Sequence, residues 1–525
     1  MPRDRTRERK RGPLKLTICL AVSCVSAGLL SGCTLPSLEH RTTSTAILDT
    51  AGTRLGRAIT PLVSAHPKQS GIHLLANARD AFSARVLLAR AAERTLDIQY
   101  YIWHHDLTGT LLLEALYAAA ERGVRVRLLL DDNNTQGLDD TLAALDAHPN
   151  IEVRLFNPFV IRSSRLIGYL TDFFRLNRRM HNKSFTADNQ ATIIGGRNVG
   201  DEYFGATEGV LFVDLDVMAI GPVVGVVSKD FDRYWASGSS YPVDRLLPPA
   251  DPAQIAAIAS AASVVDRDPA AGAYMAAVRD SVFVRDLIGG KLPFEWAATH
   301  MLSDDPAKGL GLAEPETLVS ERLKSIIGSS AQHVDLVSAY FVPTEAGADA
   351  LAALAQRKVN IRILTNSLEA TDVPPVHSGY AKRRKQLLDA GITLYELRRL
   401  SPNIGRNKSA GAMGSSSSSL HSKTFAVDRA RVFIGSFNFD PRSAKLNTEL
   451  GFIIDSPALA QRISTVFDIR VPENSYQVHV SDTNELYWTE EQAGKRIRHE
   501  TEPGTSFWTR AGVYLISLLP IEWLL

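Results

Sequence analysis

Cysteine is scarce in this sequence, and its placement excludes a disulfide framework. Three cysteines occur among 525 residues, and Cys19 and Cys24 both lie in the first 32. If those residues are removed during export, as the N-terminal pattern below predicts, Cys33 is the single remaining cysteine and no internal disulfide can form. The fold must then be held by apolar cores, for which the chain is long enough.

An excess of either charge is also missing. The sequence has 58 Lys and Arg against 57 Asp and Glu, a net charge of +1. Residues 1–32 contain seven basic and two acidic residues, so the remaining chain carries a net charge of −4. A nuclease is expected to present a basic face to its substrate. The charge balance argues against that class, and nucleic acid is not a predicted partner.

The N-terminus holds a long apolar run. Residues 1–13 are basic, and residues 14–30 form an apolar run that is broken by Lys15 and small residues and closes on Leu30-Ser31-Gly32-Cys33. This pattern predicts a signal peptide over residues 1–32. Its last four residues resemble a bacterial lipoprotein box, which implies lipidation of Cys33 and an exported lipoprotein facing the periplasm, attached to the inner or the outer membrane. The alternative is an uncleaved N-terminal anchor, for which the run is short.

The central feature of the sequence is a repeated motif. The pattern His-x-Lys-x4-Asp-x6-Gly-[Gly/Ser]-x-Asn begins at His181 and again at His421, 240 residues later. Repetition of this kind indicates two related structural units. In each unit the alternation after the lysine predicts a strand, and the apolar residues before the glycine predict a return strand. The aspartates, Asp188 and Asp428, fall at the turn of this predicted hairpin.

Two such units placed face to face would form a pocket for a phosphodiester. The pocket would contain His181, Lys183, Asn198, His421, Lys423 and Asn438. Lysine and asparagine donors can hold phosphate oxygens. A neutral histidine can attack phosphorus, and a protonated one can give its proton to the leaving alkoxide. Because the lysines supply the positive charge, neither a metal nor a cofactor is predicted.

A buried histidine of this kind needs a carboxylate that orients its ring. One candidate follows each motif in an apolar, strand-like stretch: Asp214 lies 33 residues after His181, and Glu449 lies 28 residues after His421. Asp216 is an alternative to Asp214. We predict that Asp214 and Glu449 are the orienting groups.

These motifs resemble those of the phospholipase D superfamily, and the surrounding residues are similar to the bacterial cardiolipin synthase branch. The resemblance implies that His181 is the nucleophile forming a phosphohistidine and that His421 is the general acid. It gives Asp188 and Asp428 a structural role. It implies a phosphatidyltransferase acting on phosphatidylglycerol, with phosphatidylethanolamine as a second substrate, at a membrane surface.

Other functions of the same residues stay open at this point. With water as the acceptor the enzyme would be a phospholipase D hydrolase, and the superfamily also contains other phosphodiesterases and nucleases. A protein that keeps the fold as a catalytically silent membrane scaffold is a further alternative, against which the two intact motifs argue.

Strands and helices alternate along most of the chain, which predicts an α/β fold. We expect two repeated α/β/α sandwich halves packed with pseudo-two-fold symmetry around one active site. The predicted boundaries are a signal peptide (1–32), a tether (33–72), the first half (73–240), a helical insert with a connecting strand (241–315), the second half (316–470) and a C-terminal tail (471–525) that either contacts the membrane or packs on the core.

Several other features carry two interpretations. Asp131 and Asp132 end a predicted strand and are expected to be structural rather than catalytic. His104 and His105 have no third metal ligand nearby in the sequence, which favours a surface role. Residues 162–179 are basic and aromatic, and predict either a lipid-facing mouth or a helix with a packed apolar side and solvated arginines. The Ser- and Gly-rich run at 411–419 predicts a tolerated loop insertion or a gate.

Overall fold

The computed structural model describes residues 34–206, 212–265, 269–399, 419–492 and 494–525. The strands are β1 Ser70–Leu75, β2 Thr95–Ile102, β3 Arg125–Asn134, β4 Ile151–Phe156, β5 Ser184–Ala187, β6 Ala191–Gly195, β7 Phe212–Val213, β8 Asp216–Ile220, β9 Ser240–Pro242, β10 Glu295–Ser303, β11 His333–Ser338, β12 Asn360–Asn366, β13 Thr393–Leu397, β14 Ser419–Leu420, β15 Lys423–Val427, β16 Arg431–Gly435, β17 Leu450–Asp455, β18 Ser475–Val480, β19 Leu486–Gln492 and β20 Lys495–His499.

The α-helices surround these strands. They are α1 Arg54–Ser64, α2 Ala78–Ala91, α3 Leu107–Glu121, α4 Asp139–Asp146, α5 Arg165–Thr171, α6 Phe173–Leu176, α7 Asp201–Phe204, α8 Pro222–Trp235, α9 Pro252–Val265, α10 Pro269–Arg279, α11 Val282–Ile288, α12 Val319–Gly328, α13 Thr344–Gln356, α14 Pro374–Ala381, α15 Arg384–Asp389, α16 Pro441–Lys445, α17 Pro457–Asn474 and α18 Phe507–Ser517. Short 3-10 turns occur at Val243–Arg245, Pro306–Leu310, Pro315–Thr317 and Glu522–Leu524.

β7 and β14 form a two-stranded sheet, and the other strands form two larger sheets with the same internal order. In the first half the order is β1-β8-β6-β5-β2-β3-β4-β9. In the second half it is β10-β17-β16-β15-β11-β12-β13-β18, extended by β19 and β20. β2, β3 and β4 run parallel to one another, as do β11, β12 and β13. The predicted α/β fold in two repeated halves is confirmed.

One strand belongs to both sheets. The first residues of β10 pair with β1, through Ala297 and Ser70, and its later residues pair with β17, through Ser303 and Leu450. A buried apolar cluster also takes residues from both halves, with Ile194 and Val217 from the first and Val432 from the second. The two halves therefore share a core, and the connecting strand predicted within 241–315 is the first strand of the second sheet.

Each motif forms the predicted hairpin. β5 pairs with β6 and β15 with β16, and the turns lie at Asp188–Asn189 and Asp428–Arg429. All four turn residues have φ near +50°. Two successive residues of positive φ match the twist of a two-residue hairpin, and Asp and Asn tolerate that conformation better than most residues.

The two regions predicted at the margins of the fold contain regular structure. Residues 34–72 include α1 and the beginning of β1, and Arg154 donates to the carbonyl oxygen of Thr42. Residues 471–525 begin with β18, which continues the second sheet beyond residue 470, and end with α18. The predicted signal peptide, Cys33 and most of the Ser- and Gly-rich run lie outside the described residues. Within the described ranges, no helix is long and apolar enough to cross a membrane.

Candidate active site

The two motif segments meet because each one pairs with backbone from the opposite half. The His181 amide donates to the carbonyl oxygen of Thr448 at 2.9 Å, just before Glu449. In the corresponding place the His421 amide donates to the carbonyl oxygen of Val213 at 2.9 Å, just before Asp214. β7 and β14 pair in parallel at this second point. The pseudo-symmetry of the halves thus brings both histidines to one site.

The orienting carboxylates are exchanged between the halves. Nδ1 of His181 lies 2.9 Å from Glu449, and Nδ1 of His421 lies 2.6 Å from Asp214. Both carboxylates are buried. The alternative, Asp216, instead binds the guanidinium of Arg85 at 2.8 Å. Because Nδ1 of each ring faces a carboxylate, Nε2 is the nitrogen assigned to the reaction.

The two carboxylates differ in their surroundings. Glu449 accepts hydrogen bonds from the hydroxyls of Ser436 at 2.5 Å and Ser443 at 2.8 Å. Gly196 occupies the motif position of Ser436, and a Cβ there would lie 2.2 Å from Asp214. The first motif needs glycine at this position because the carboxylate approaches the backbone closely.

This difference changes the charge on the two acids. Burial raises the pKa of Glu449 to about 7, although Lys183 lowers it in part. Burial alone would raise the pKa of Asp214 as well, but His421 and Lys423 together hold it well below its usual value. Asp214 is therefore ionised at neutral pH, whereas Glu449 is close to its midpoint.

The lysines lie against the histidines of their own motifs. Lys183 Nζ donates to the carbonyl oxygen of His181 at 2.6 Å. Lys423 Nζ donates to the carbonyl oxygen of His421 and lies 3.0 Å from its Nδ1. Both lysines are buried, and burial lowers the pKa of each ammonium, with the carboxylates Glu449 and Asp214 opposing that shift. A bound anion would stabilise their charged forms.

The surroundings of both imidazoles favour their neutral forms. Burial, followed by the charges of Lys183 and Lys423, lowers the pKa of His181 well below its usual value. Burial and Lys423 lower the pKa of His421 to about 3. Tyr101 and Tyr203 pack edge-on against the two rings, with centroids 5.0 Å from His181 and 5.2 Å from His421. These tyrosines close off the sides of the imidazoles.

The motif aspartates, Asp188 and Asp428, bind backbone amides outside the pair of histidines. Asp188 accepts hydrogen bonds from the backbone amides of Glu93, Arg94 and Thr95 at 2.8–3.2 Å. Asp428 binds the amides of residues 331–333 in the same way. Each aspartate fastens the hairpin turn to the residues that enter the neighbouring strand, which is a structural role.

The two motif asparagines are not equivalent. Asn198 accepts from the amide of Ile102 at 3.2 Å and donates to the hydroxyl of Tyr203 at 3.0 Å, so its side chain is engaged within the fold. The carbonyl oxygen of the Asn438 side chain is buried and accepts no hydrogen bond from the part of the chain that the structure describes. Phosphate binding stays a prediction for both asparagines. The contacts of Asn198 show that its side chain holds Tyr203.

The structure settles two other features of the sequence. Asp131 accepts from the amide of Met180 at 2.7 Å, and Asp132 accepts from the amide of Phe159 at 2.7 Å, so both brace loops around the site as expected. The expectation that His104 has no third possible ligand nearby is wrong, although its side chain is 45% exposed, which agrees with the predicted surface role. Its Nδ1 lies 3.1 Å from Glu202, and Asp106 completes a group within 4.8 Å, because α7 returns to the end of β2.

Three supporting residues were missed or left open by the sequence. Ser436 and Ser443 hold Glu449, and Asp304 accepts the Glu449 amide at 2.9 Å. Asp304 lies in the connecting segment and is also bound by Lys308 at 2.8 Å. The serine of the Gly-Ser pair was a visible signal, because it differed from the Gly-Gly of the first motif.

Comparison with known proteins agrees with this geometry. A family model described as "Cardiolipin synthase, PLD-like domain" matches residues 87–235 and 323–470, one match in each half. The chain belongs to this family. The predictions of a phospholipase D-like phosphatidyltransferase and of the cardiolipin synthase branch are confirmed at the level of the family.

Individual relatives support the same assignment. Cardiolipin synthase C of Escherichia coli (strain K12) is 52% identical over 472 residues, which cover 90% of this chain and 100% of that protein. An uncharacterised protein of Helicobacter pylori (strain J99) is 32% identical over 465 residues, covering 87% of this chain and 90% of that protein. The solved phosphatidylserine synthase of Haemophilus influenzae Rd KW20 has a TM-score of 0.53 at 14% identity, covering 90% of this chain and all of that one, and so shares the fold.

Proposed function

We propose that this enzyme transfers a phosphatidyl group between phospholipids and makes cardiolipin. Phosphatidylglycerol is the proposed acceptor and donor, and phosphatidylethanolamine is the proposed second substrate. The observation that carries the proposal is the pair of histidines brought to one buried site, each held by a carboxylate of the opposite half. The family assignment supplies the class of substrate.

The charges of the site suit one phosphodiester. With both lysines and Asp214 charged and both imidazoles neutral, the net charge of the site is zero when Glu449 is ionised and +1 when Glu449 is protonated. A bound phosphodiester adds one negative charge, which favours protonation of one imidazole. Substrate binding therefore supplies the neutral and protonated pair that the reaction needs.

The first step forms a covalent intermediate. Nε2 of His181 attacks phosphorus, the bond from phosphorus to the headgroup oxygen breaks, and the Nε2 proton of protonated His421 passes to that oxygen. The products are a phosphatidyl-histidine and the free headgroup alcohol. Lys183 and Lys423 stabilise the charge that develops on the phosphate oxygens.

The second step reverses these roles. Neutral His421 takes the proton of the acceptor hydroxyl while the oxygen of that hydroxyl attacks phosphorus, and the bond from phosphorus to His181 breaks. With the free glycerol hydroxyl of phosphatidylglycerol as acceptor, the product is cardiolipin. With water as acceptor, the product is phosphatidic acid.

The carboxylates support this division of roles. Asp214 is ionised and lies 2.6 Å from His421, an arrangement that favours a protonated ring and hence an acid. Glu449 has a raised pKa of about 7 and its charge is shared with two serine hydroxyls, so it favours protonation of His181 less. We therefore assign His181 as the nucleophile and His421 as the acid and base.

The decisive experiment follows products formed from mixed vesicles of phosphatidylglycerol and phosphatidylethanolamine. The intact enzyme should form cardiolipin, and His181→Ala and His421→Ala should form none. Phosphatidic acid as the only product would make the protein a hydrolase. Cleavage of nucleic acid or a simple diester without lipid turnover would refute the lipid substrate, and no turnover of any of them would favour the silent scaffold.

We also propose that the protein is exported and attached to a membrane through a lipid on Cys33. The support is the basic and apolar N-terminal sequence that ends in Leu-Ser-Gly-Cys33. Cells fed a labelled fatty acid should incorporate the label into the wild-type protein and not into Cys33→Ser. Equal labelling of the two proteins would refute lipidation at this residue.

A further inference from the structure

The enzyme carries an exposed apolar surface beside its active site, formed by two segments far apart in sequence. The first is α5 with α6, and the second is α18 with the 3-10 turn at Glu522–Leu524. We propose that these segments form a single docking surface, termed here the apolar rim, which lies on the lipid bilayer and brings the site to its substrate. This inference rests on the proposed function and adds to it the surface that contacts the membrane.

The first segment has the reverse of the polarity expected for a packed surface helix. Leu170 is 79% exposed and Phe174 is 81% exposed. The arginines are turned inward instead, where Arg162 binds Asp132 and Asp139. The interpretation of residues 162–179 as a packed apolar side with solvated arginines is therefore wrong. Internal ion pairs leave the outer face of α5 and α6 apolar.

The second segment presents a similar face. In α18, Val513 is buried against the protein, while the side chains on the outer face are apolar and aromatic. The most exposed member is Trp508, at 80%. The other large apolar side chains exposed in this segment are Phe507, Tyr514, Leu515, Leu518, Leu519 and Trp523. Aromatic rings with a polar atom are typical of the interface between headgroups and acyl chains.

The two segments touch each other. The ring of Phe173 in α6 packs edge-on against Trp523, with centroids 6.5 Å apart. Arg442 holds the same junction, because its guanidinium donates to Asn177 at the end of α6 and to the carbonyl oxygen of Leu524. The exposed faces of the two segments thus meet at a junction between the halves.

The junction is directly connected to the active site. Arg442 is followed by Ser443, whose hydroxyl donates to Glu449, the carboxylate that holds His181. The amide of Arg442 also donates to the carbonyl oxygen of Leu525. The side chain of Leu525 packs with Val342, in the segment that follows β11. Three steps therefore connect the apolar rim to the orienting acid of the nucleophile: the hydrogen bond from Arg442 to Leu524, the peptide bond from Arg442 to Ser443, and the hydrogen bond from Ser443 to Glu449.

A bilayer is the occupant that these observations favour. Exposed apolar patches of this extent mark an interaction site on a soluble protein. The substrate of the family is a phospholipid, whose headgroup must reach a buried site while its acyl chains stay in an apolar medium. A surface that joins both halves next to the site meets that need, and membrane binding is stronger when a second contact adds to a lipid anchor.

Tryptophan quenching tests the contact independently of any anchor. The full-length protein is reconstituted in vesicles containing phosphatidylglycerol brominated in its acyl chains, which quenches tryptophans within the apolar layer. Trp508 and Trp523 should account for the quenching, so Trp508→Phe with Trp523→Phe should abolish it. Equal quenching in the wild type and this double variant, or none in the wild type, would overturn the proposal.

A second test separates docking from chemistry. Leu170→Glu with Phe174→Glu should lower cardiolipin formation on vesicles by about tenfold or more, because two apolar side chains lose their burial. The same variant should retain wild-type activity on a short-chain phosphatidylglycerol dispersed below its micelle concentration. The matched control is Ile469→Glu, which alters an exposed apolar residue on α17, outside the apolar rim.

The outcomes of the second test have distinct meanings. Full vesicle activity in the double glutamate variant would overturn the docking proposal and leave the proposed function intact. A wild type inactive on both lipid forms would instead refute the function. A wild-type dimer that the double variant converts to monomers, with vesicle activity unchanged, would assign the surface to a second copy of the chain and overturn the bilayer.

Discussion

Replacing either motif aspartate by alanine should damage the fold, and by different amounts at the two sites. Asp188 and Asp428 make the same set of contacts, each accepting three consecutive backbone amides. Their exposure differs. Asp188 is fully buried, and the amides that it binds are buried or partly buried. Two of the three amides bound by Asp428 are exposed to solvent.

The size of each loss in the free energy of unfolding depends on whether the released amides can bind water after the substitution. A buried amide that loses its acceptor costs about 1–3 kcal/mol, whereas an exposed amide can bind water instead. For Asp188→Ala we expect a loss of about 3–5 kcal/mol in the free energy of unfolding, from three amides of which one is fully buried. For Asp428→Ala we expect about 1–2 kcal/mol, because a single partly buried amide is left.

Urea unfolding followed by tryptophan fluorescence measures both losses, and activity per folded molecule is measured on the same samples. The order of the two losses is the critical result. Equal losses would show that the burial of the amides does not control the energy. Loss of activity with an unchanged unfolding midpoint would refute the structural role and place the aspartate in the reaction.

Two further predictions concern the carboxylates of the site. Asp214→Asn should lower turnover by a factor of about 100 or more, because it removes the charge that supports protonated His421 and allows the wrong ring tautomer. The control Asp216→Asn should lower stability instead, because Asp216 binds Arg85. Equal effects of the two variants on the pH profile of turnover would contradict this division. Glu449→Gln should stabilise the fold relative to the wild type at high pH. Burial raises the pKa of Glu449 to about 7, so the unfolded chain loses this proton at a lower pH than the native protein does. The native state of the wild type is therefore destabilised progressively from about pH 4.5 to about pH 7, and by as much as about 3 kcal/mol above that range. Unfolding at pH 5 and pH 8 should thus show the difference between variant and wild type shifting in favour of the variant at pH 8, and a shift in the opposite direction would refute the raised pKa.

Much of the site could be predicted because its residues are local in sequence. The histidine, lysine, aspartate and asparagine of each motif lie on one hairpin, so spacing and alternation were enough to place them together. The repeat itself predicted that the hairpins would face each other. Asp214 and Glu449 could be identified from their strand-like surroundings.

The exchange of carboxylates between the halves could not be predicted in the same way. It depends on backbone pairing of His181 with Thr448 and of His421 with Val213, across a separation that no local pattern encodes. The same limit explains why β10 was expected to be only a connector, since its pairing with both β1 and β17 is a tertiary event. The sequence left two interpretations of residues 162–179 open, because the acidic partners of Arg162, Asp132 and Asp139, lie in other elements and no local pattern shows that they bind it.

The central claim is that His181 becomes covalently linked to the phosphatidyl group while His421 serves both steps as acid and base. The most direct measurement incubates the wild type, His421→Ala and His181→Ala with a phosphatidyl diester that is labelled in its acyl chains and carries a good leaving group where phosphatidylglycerol has its headgroup glycerol. Peptide mass spectrometry then locates the label. We expect a phosphatidyl-histidine on His181 that accumulates in His421→Ala, because the activated leaving group departs without an acid whereas the acceptor hydroxyl still needs a base. Label on His421 in His181→Ala, with none on His181 in the other two proteins, would contradict it.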